Sequence, residues 1–94
     1  MRKETKATKI PEKVKKAVWE RDCGRCIVCL RPGNPWCHVI PRSQGGLGIE
    51  QNIVTLCDKC HGDFDQTEKR KYMKEYIKRY LKMKYPDWDE SKLI

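Results

Sequence analysis

Hydrophobic and polar positions divide the chain into short segments of helical and strand character. After Pro11, apolar residues at 14, 17 and 18 recur at helical spacing and predict a helix ending near Arg21. Two short apolar segments, Trp36–Ile40 and Asn52–Leu56, have strand character, and the second is rich in β-branched residues. A further helix is predicted to begin at His61. The order predicts a mixed α+β fold.

The longest periodic segment runs from Thr67 to Tyr85. Its apolar stripe comprises Tyr72, Met73, Tyr76, Ile77, Tyr80 and Leu81. Lysines occupy the positions beside that stripe, so the pattern predicts a basic amphipathic helix that ends before Pro86. The apolar residues beyond the proline are expected to pack back on the domain; they are Trp88, Leu93 and Ile94.

Length and composition indicate one small domain with a marginal core. The chain has 94 residues, is 38% hydrophobic and has a mean hydropathy of −0.85, so an additional cross-link is expected. Six cysteines could supply it. The polar N-terminus does not resemble a secretory signal, and no segment is apolar enough to span a membrane. We therefore expect a cytoplasmic protein that binds a metal rather than forming disulfides.

The net charge of +8 is concentrated at the two ends of the chain. Residues 1–16 carry seven basic and two acidic residues, and residues 67–84 carry eight and two, whereas residues 17–66 are close to neutral. Two basic regions around a neutral centre favour a polyanionic partner such as DNA or RNA. The alternative is that these charges only keep the protein soluble. Residues 1–9 are predicted to be a flexible basic arm.

Four cysteines form two Cys-x-x-Cys pairs, Cys26 with Cys29 and Cys57 with Cys60. Paired knuckles of this kind can supply four thiolates to one tetrahedral zinc ion, and such a closed site is structural rather than catalytic. The 27 residues between the pairs are more than many zinc modules have. Cys23 lies at knuckle spacing from Cys26 and is an alternative ligand.

The residues around these pairs follow the order His38-x13-Asn52-x8-His61. With the segments Cys37–Gly46 and Asn52–His61, this order resembles the HNH nucleases of the ββα-metal group. The resemblance covers roughly residues 10–66, and the whole chain is similar to short stand-alone HNH proteins of bacteriophages and prophages. It implies a small zinc-stapled ββα-metal domain with an N-terminal helix, on which residues 67–94 pack, and it makes Cys26 and Cys29 the ligands rather than Cys23.

The resemblance also assigns roles to the three motif residues. His38 would be the general base that deprotonates the attacking water, a role that imidazole chemistry suits. Asn52 would hydrogen-bond across the loop and hold the backbone that orients His38. His61 would bind a catalytic divalent cation beside the departing 3′ oxygen. The alternatives are a structural hairpin histidine or a zinc ligand for His38, a turn residue for Asn52 and a structural ligand for His61.

Two neighbouring residues bear on that cation. Asp65 follows His61 by four residues, on the same helical face, and offers a second, hard ligand. Cys37 stands where many relatives carry a hard ligand before the catalytic histidine, and a thiol suits magnesium poorly. Either Cys37 is a spectator and the ion is Mg²⁺ or Mn²⁺, or the site takes a softer ion such as Ni²⁺ or Zn²⁺.

The resemblance implies a metal-dependent endonuclease that nicks DNA within phage genome processing, beside packaging proteins in the bacterial cytoplasm. The predicted phosphate contacts are Arg42, Lys59, Lys74 and Lys78. No membrane partner is expected. Two alternatives remain, a zinc-dependent nucleic-acid-binding module that does not cleave and a nuclease that cleaves RNA. Oligomeric state and target preference have no signature in the sequence.

Overall fold

The computed structural model describes residues 9–66 and 68–94, and of Gln66 only the backbone. The elements are α1 (Glu12–Arg21), β1 (Asn34–His38), β2 (Ile53–Leu56), α2 (Asp58–Gln66) and α3 (Lys69–Lys84). Short 3-10 turns span Arg42–Gln44, Glu50–Asn52 and Glu90–Lys92. The two strands pair antiparallel, which confirms the α+β class. Apart from Lys9, the predicted arm lies outside the described residues.

The predicted elements are confirmed with shifted ends. Pro11 is the N-cap of α1 and not its first helical residue. β1 stops at His38 because the N–H of Ile40 bonds to the side chain of Asn52 instead of to a strand. α2 begins at Asp58, three residues before the predicted start, so the last zinc-knuckle cysteine lies within its first turn.

The core lies between the hairpin and the helices. Helix α1 packs on both strands, and every residue of β2 is buried. Helix α3 contributes Met73, Ile77 and Leu81 to the same core, at a spacing of four residues. The predicted stripe is wider than the buried one, because Tyr72 is 72% exposed. Trp88 and Leu93 pack back as expected, whereas Ile94 is exposed.

A buried ion pair joins α1 to the rest of the domain. The guanidinium of Arg21 donates to the carboxylate of Asp22 at 2.7 and 3.0 Å. That carboxylate also accepts the backbone N–H of Thr55 at 3.0 Å and the hydroxyl of Tyr80. Burial and the adjacent carboxylate raise the pKa of the Tyr80 phenol, so it remains a donor. A single carboxylate thereby connects α1, β2 and α3.

We expect Asp22→Asn to destabilise the domain by about 3 kcal/mol, because it leaves the Arg21 charge buried without its partner. Urea unfolding followed by circular dichroism measures this change. Glu20→Gln, an exposed change in the same helix, is the matched control and should shift stability by no more than about 0.5 kcal/mol. Equal stability of the two variants would contradict the assigned role of the ion pair.

Among the described residues, none of the helices combines the length and apolarity needed to cross a bilayer.

Candidate active site and zinc site

The four cysteines of the two predicted pairs come together at one end of the hairpin. Their Sγ atoms all lie within 4.8 Å of one another, and the Sγ atoms of Cys29 and Cys57 are 3.5 Å apart. A tetrahedral zinc ion with Zn–S bonds of about 2.3 Å requires Sγ–Sγ separations of about 3.8 Å. The donor set and its spacing are therefore consistent with zinc. Cys23, the alternative ligand, is exposed outside this cluster.

Backbone N–H groups stabilise thiolate character in the cluster. Those of Val28 and Cys29 point at the Cys26 sulfur at 3.4 and 3.5 Å, and that of Cys60 points at the Cys57 sulfur at 3.4 Å. Burial opposes ionisation of Cys26, but backbone donors outweigh it and lower its pKa to about 7. Without a metal ion, burial and the neighbouring Cys57 instead raise the pKa of Cys60. A backbone N–H also favours the thiolate of Cys29, but burial and the neighbouring thiols outweigh it and raise the pKa of Cys29. A thiol that ionises near neutral pH is suited to bind a metal cation.

Asn52 closes the opposite end of the hairpin. Its side chain is fully buried, and its Oδ1 accepts the N–H of Ile40 at 2.8 Å. Its Nδ2 donates to the carbonyls of Leu47 at 2.8 Å and Ile40 at 3.3 Å. A Cβ on Gly46 would collide with the Ile40 carbonyl, so this approach requires glycine. The amide thus fixes both sides of the loop that follows His38.

His38 is the last residue of β1 and is partly exposed. It faces an open groove of about 360 Å³ whose lining comprises Lys9, Ile10, Lys15, Trp36, His38 and Arg42. The N-terminal segment reaches this groove because Lys9 crosses directly over Gly48, where a Cβ would meet the Lys9 carbonyl. Gly46 and Gly48 are therefore positions where the backbone packs too closely for a side chain.

The two predicted cation ligands lie on one face of α2. The Nε2 of His61 is 3.6 Å from an Oδ of Asp65, and both side chains are partly exposed. Cys37 is 1% exposed and belongs to the hydrophobic core. Burial, and to a smaller extent the negative charge of Asp65, raise its pKa to about 12, so Cys37 is a neutral thiol close to this pair. Among the described residues, only the four cysteines form a cluster of three or more potential ligands.

The predicted phosphate contacts lie in different places. Arg42 lines the groove beside His38. Lys59 is mostly exposed and lies 3.5 Å from Asp63. The ammonium groups of Lys74 and Lys78 each lie 3.1 Å from a carboxylate oxygen of Glu90, so these two lysines make ion pairs within the chain.

Comparison with known proteins agrees with the arrangement of these residues. A family model described as HNH endonuclease matches residues 26–64, which span both cysteine pairs and all three motif residues. Residues 26–64 of this chain therefore form an HNH endonuclease domain. The type IV methyl-directed restriction enzyme EcoKMcrA of Escherichia coli K12 is 32% identical over 74 residues, which are 68% of this chain and 27% of the enzyme. Anaredoxin of Nostoc sp. PCC 7120 is 34% identical over 58 residues, 60% of this chain and 76% of that protein.

Of the residues that line the groove of this HNH protein, the sequence predicts only His38 and Arg42 as site residues. Trp36 and Lys15 line the groove with His38. Strand alternation supplied a signal for Trp36, because residues two apart in a strand share a face. Lys15 had no such signal, since its position depends on how α1 crosses the hairpin.

We expect Cys26→Ser to reduce bound zinc from one ion per chain to nearly none and to abolish cooperative unfolding, because a structural zinc contributes folding free energy. Elemental analysis together with thermal unfolding measures both effects. Cys23→Ser is the matched control and should retain the zinc ion and the transition. Zinc loss in the Cys23 variant would instead make Cys23 and Cys26 the first pair of ligands.

Proposed function

We propose that this HNH protein is a metal-dependent endonuclease that hydrolyses DNA phosphodiester bonds, with a nick as the elementary product. The observation that carries the proposal is the position of His38. It ends a strand whose following loop is fixed by Asn52, and it faces a groove lined with cationic side chains. A DNA phosphate attracted to that groove lies beside a histidine whose backbone is already ordered.

His38 is proposed as the general base. Imidazole exchanges protons near neutral pH, so it can accept a proton from the water that attacks phosphorus. Asn52 contributes no proton transfer, because a carboxamide neither gains nor loses a proton near neutral pH, and its hydrogen bonds hold Ile40 and Leu47. It is a positioning residue that keeps the strand end in place. Arg42 is proposed to hold the phosphate at the same groove.

His61 and Asp65 are proposed as the ligands of a divalent cation. An imidazole and a carboxylate one helical turn apart fit such an ion, and Mg²⁺ commonly uses few protein ligands together with water and substrate phosphate oxygens. When bound there, the ion would neutralise the phosphate and stabilise the leaving 3′ oxygen. The burial of Cys37 and its raised pKa favour the spectator role for this thiol.

The E. coli relative supports DNA as the substrate, because its name describes it as a restriction enzyme. The present chain spans only 27% of that enzyme, so recognition of methylated DNA is not carried over. A role in phage genome processing beside packaging proteins in the bacterial cytoplasm stays a prediction from the resemblance.

We expect the zinc-loaded protein to convert supercoiled plasmid to the nicked form when Mg²⁺ or Mn²⁺ is added, with Ni²⁺ and Zn²⁺ tested in parallel. His38→Ala should lower the rate roughly 10²- to 10⁴-fold, the range for loss of a general base. Gel assays of nicking, with zinc content measured on the same samples, test this expectation.

Two outcomes favour the alternatives. Plasmid binding without nicking under every metal would support a non-cleaving nucleic-acid-binding module. Cleavage of a matched RNA oligonucleotide, with DNA left intact, would support an RNA-cleaving nuclease.

We further expect Asp65→Asn to raise the Mg²⁺ concentration for half-maximal nicking by roughly tenfold, which is about 1.4 kcal/mol of binding free energy. Asp63→Asn is the matched control in the same helix, where Asp63 lies 3.5 and 3.8 Å from the ammonium groups of Lys59 and Lys69. The control should leave the metal requirement unchanged. A larger effect at Asp63 than at Asp65 would overturn the ligand assignment.

A further inference from the structure

The groove beside His38 contains an aromatic surface that the hydrolytic chemistry does not use. Trp36 is 52% exposed, which is unusual for the largest apolar side chain, and it lies on the same strand as His38. The two residues are separated by one inward-facing residue, Cys37, so their side chains emerge on the same face. Both line the same groove.

Cationic side chains share the groove with the indole. Lys9, Lys15 and Arg42 line it, and its lining among the described residues includes no carboxylate. The nearest acidic partner of Lys15 is the exposed Glu12, at 3.4 Å, and such an exposed pair contributes little. An indole bordered by cations is the combination by which proteins hold unpaired nucleotides, with a base on the ring and phosphates on the cations.

We propose that Trp36 is a stacking platform for an unpaired base and that it directs cleavage by His38 to single-stranded or locally unpaired DNA. The bases of an intact duplex are stacked on one another and cannot offer a face to the indole, whereas an unpaired base can. The inference rests on the proposed function for its cleavage step and is independent of it for binding.

Strand geometry gives the distance between the bound base and the cut. Trp36 lies at a register shift between Asn34 and Cys37, so its Cα and that of His38 are at most about 7 Å apart, the reach of two extended residues. Stacked nucleotides rise about 3.4 Å each along one strand. A base held on Trp36 therefore belongs to a nucleotide within about two positions of the phosphate at His38. The wild-type protein should cut preferentially within that distance of an unpaired base.

The test compares three DNA oligonucleotides of one sequence: a matched duplex, the duplex with one unpaired nucleotide, and the single strand. Binding is measured by fluorescence anisotropy of labelled DNA in the His38→Ala background, so the DNA stays intact. Addition of Trp36→Leu should weaken binding of the two unpaired substrates, relative to the duplex, by roughly 5- to 150-fold. Trp36→Phe, which keeps an aromatic face, should retain most of that preference.

Trp19 supplies the matched control, because it is also half exposed (50%) but its ring packs on Gly24 and is not part of the groove lining. Trp19→Leu should leave the substrate ratio unchanged within about twofold, far below the loss expected of a stacking residue. Each variant is checked for one zinc per chain. Should the leucine variant fail this check, quenching of indole fluorescence by the single strand, present with Trp36 and lost in Trp36→Phe, provides the same test.

A uniform loss of affinity for all three substrates in Trp36→Leu would overturn the proposal, as would an unchanged ratio. A Trp36-dependent ratio in a protein that cuts nothing under any metal would retain the platform and reject the nuclease. Metal-dependent cutting, with a ratio of unpaired-substrate to duplex binding that does not depend on Trp36, would retain the nuclease and reject the platform.

Discussion

The four-sulfur cluster is the constraint on which the rest of the domain depends. It joins the turn after α1, the exit of β2 and the first turn of α2, three segments that a small core would hold only weakly. His61 directly follows one of its cysteines, Cys60. The position of the proposed cation ligands relative to the hairpin is therefore set by the sulfur cluster. A site built on a rigid cross-link of this kind would need little further ordering to bind the proposed DNA substrate.

Asn52 complements the cluster from the other end of the hairpin. The strand pairing runs from Asn34 opposite Leu56, next to the cysteines, to His38 opposite Ile53, next to Asn52. One end is closed by sulfur ligands and the other by three hydrogen bonds from a buried amide. Removing the amide would leave buried backbone groups unpaired at the loop, at about 1–3 kcal/mol each. Because both ends are closed, neither strand can slip and turn His38 to the opposite face.

The sequence predicted those features of the fold that depend on residues close together in the chain. The periodicities gave the helices and strands, and the cysteine spacing gave the sulfur cluster. The pairing of Lys74 and Lys78 with Glu90 could not be predicted, because it depends on how the tail folds back after α3. The bond from Tyr80 to Asp22 joins residues 58 positions apart and has no local signature. The close packing of Gly46 against the Ile40 carbonyl could not be predicted either, because composition alone does not distinguish a flexible glycine from a close-packed one.

The distribution of charge separates two kinds of basic surface. Net charge alone would assign DNA binding to α3, where basic residues are densest. Yet two of its lysines are paired with Glu90, and an ammonium already bound to a carboxylate must give up that contact before it can neutralise a phosphate. The groove at His38 has fewer cations, and its lining among the described residues includes no carboxylate, although Lys15 lies 3.4 Å from the exposed Glu12 outside it. For the hydrolysis proposed at His38, the field of this smaller basic surface acts where the phosphate would be held.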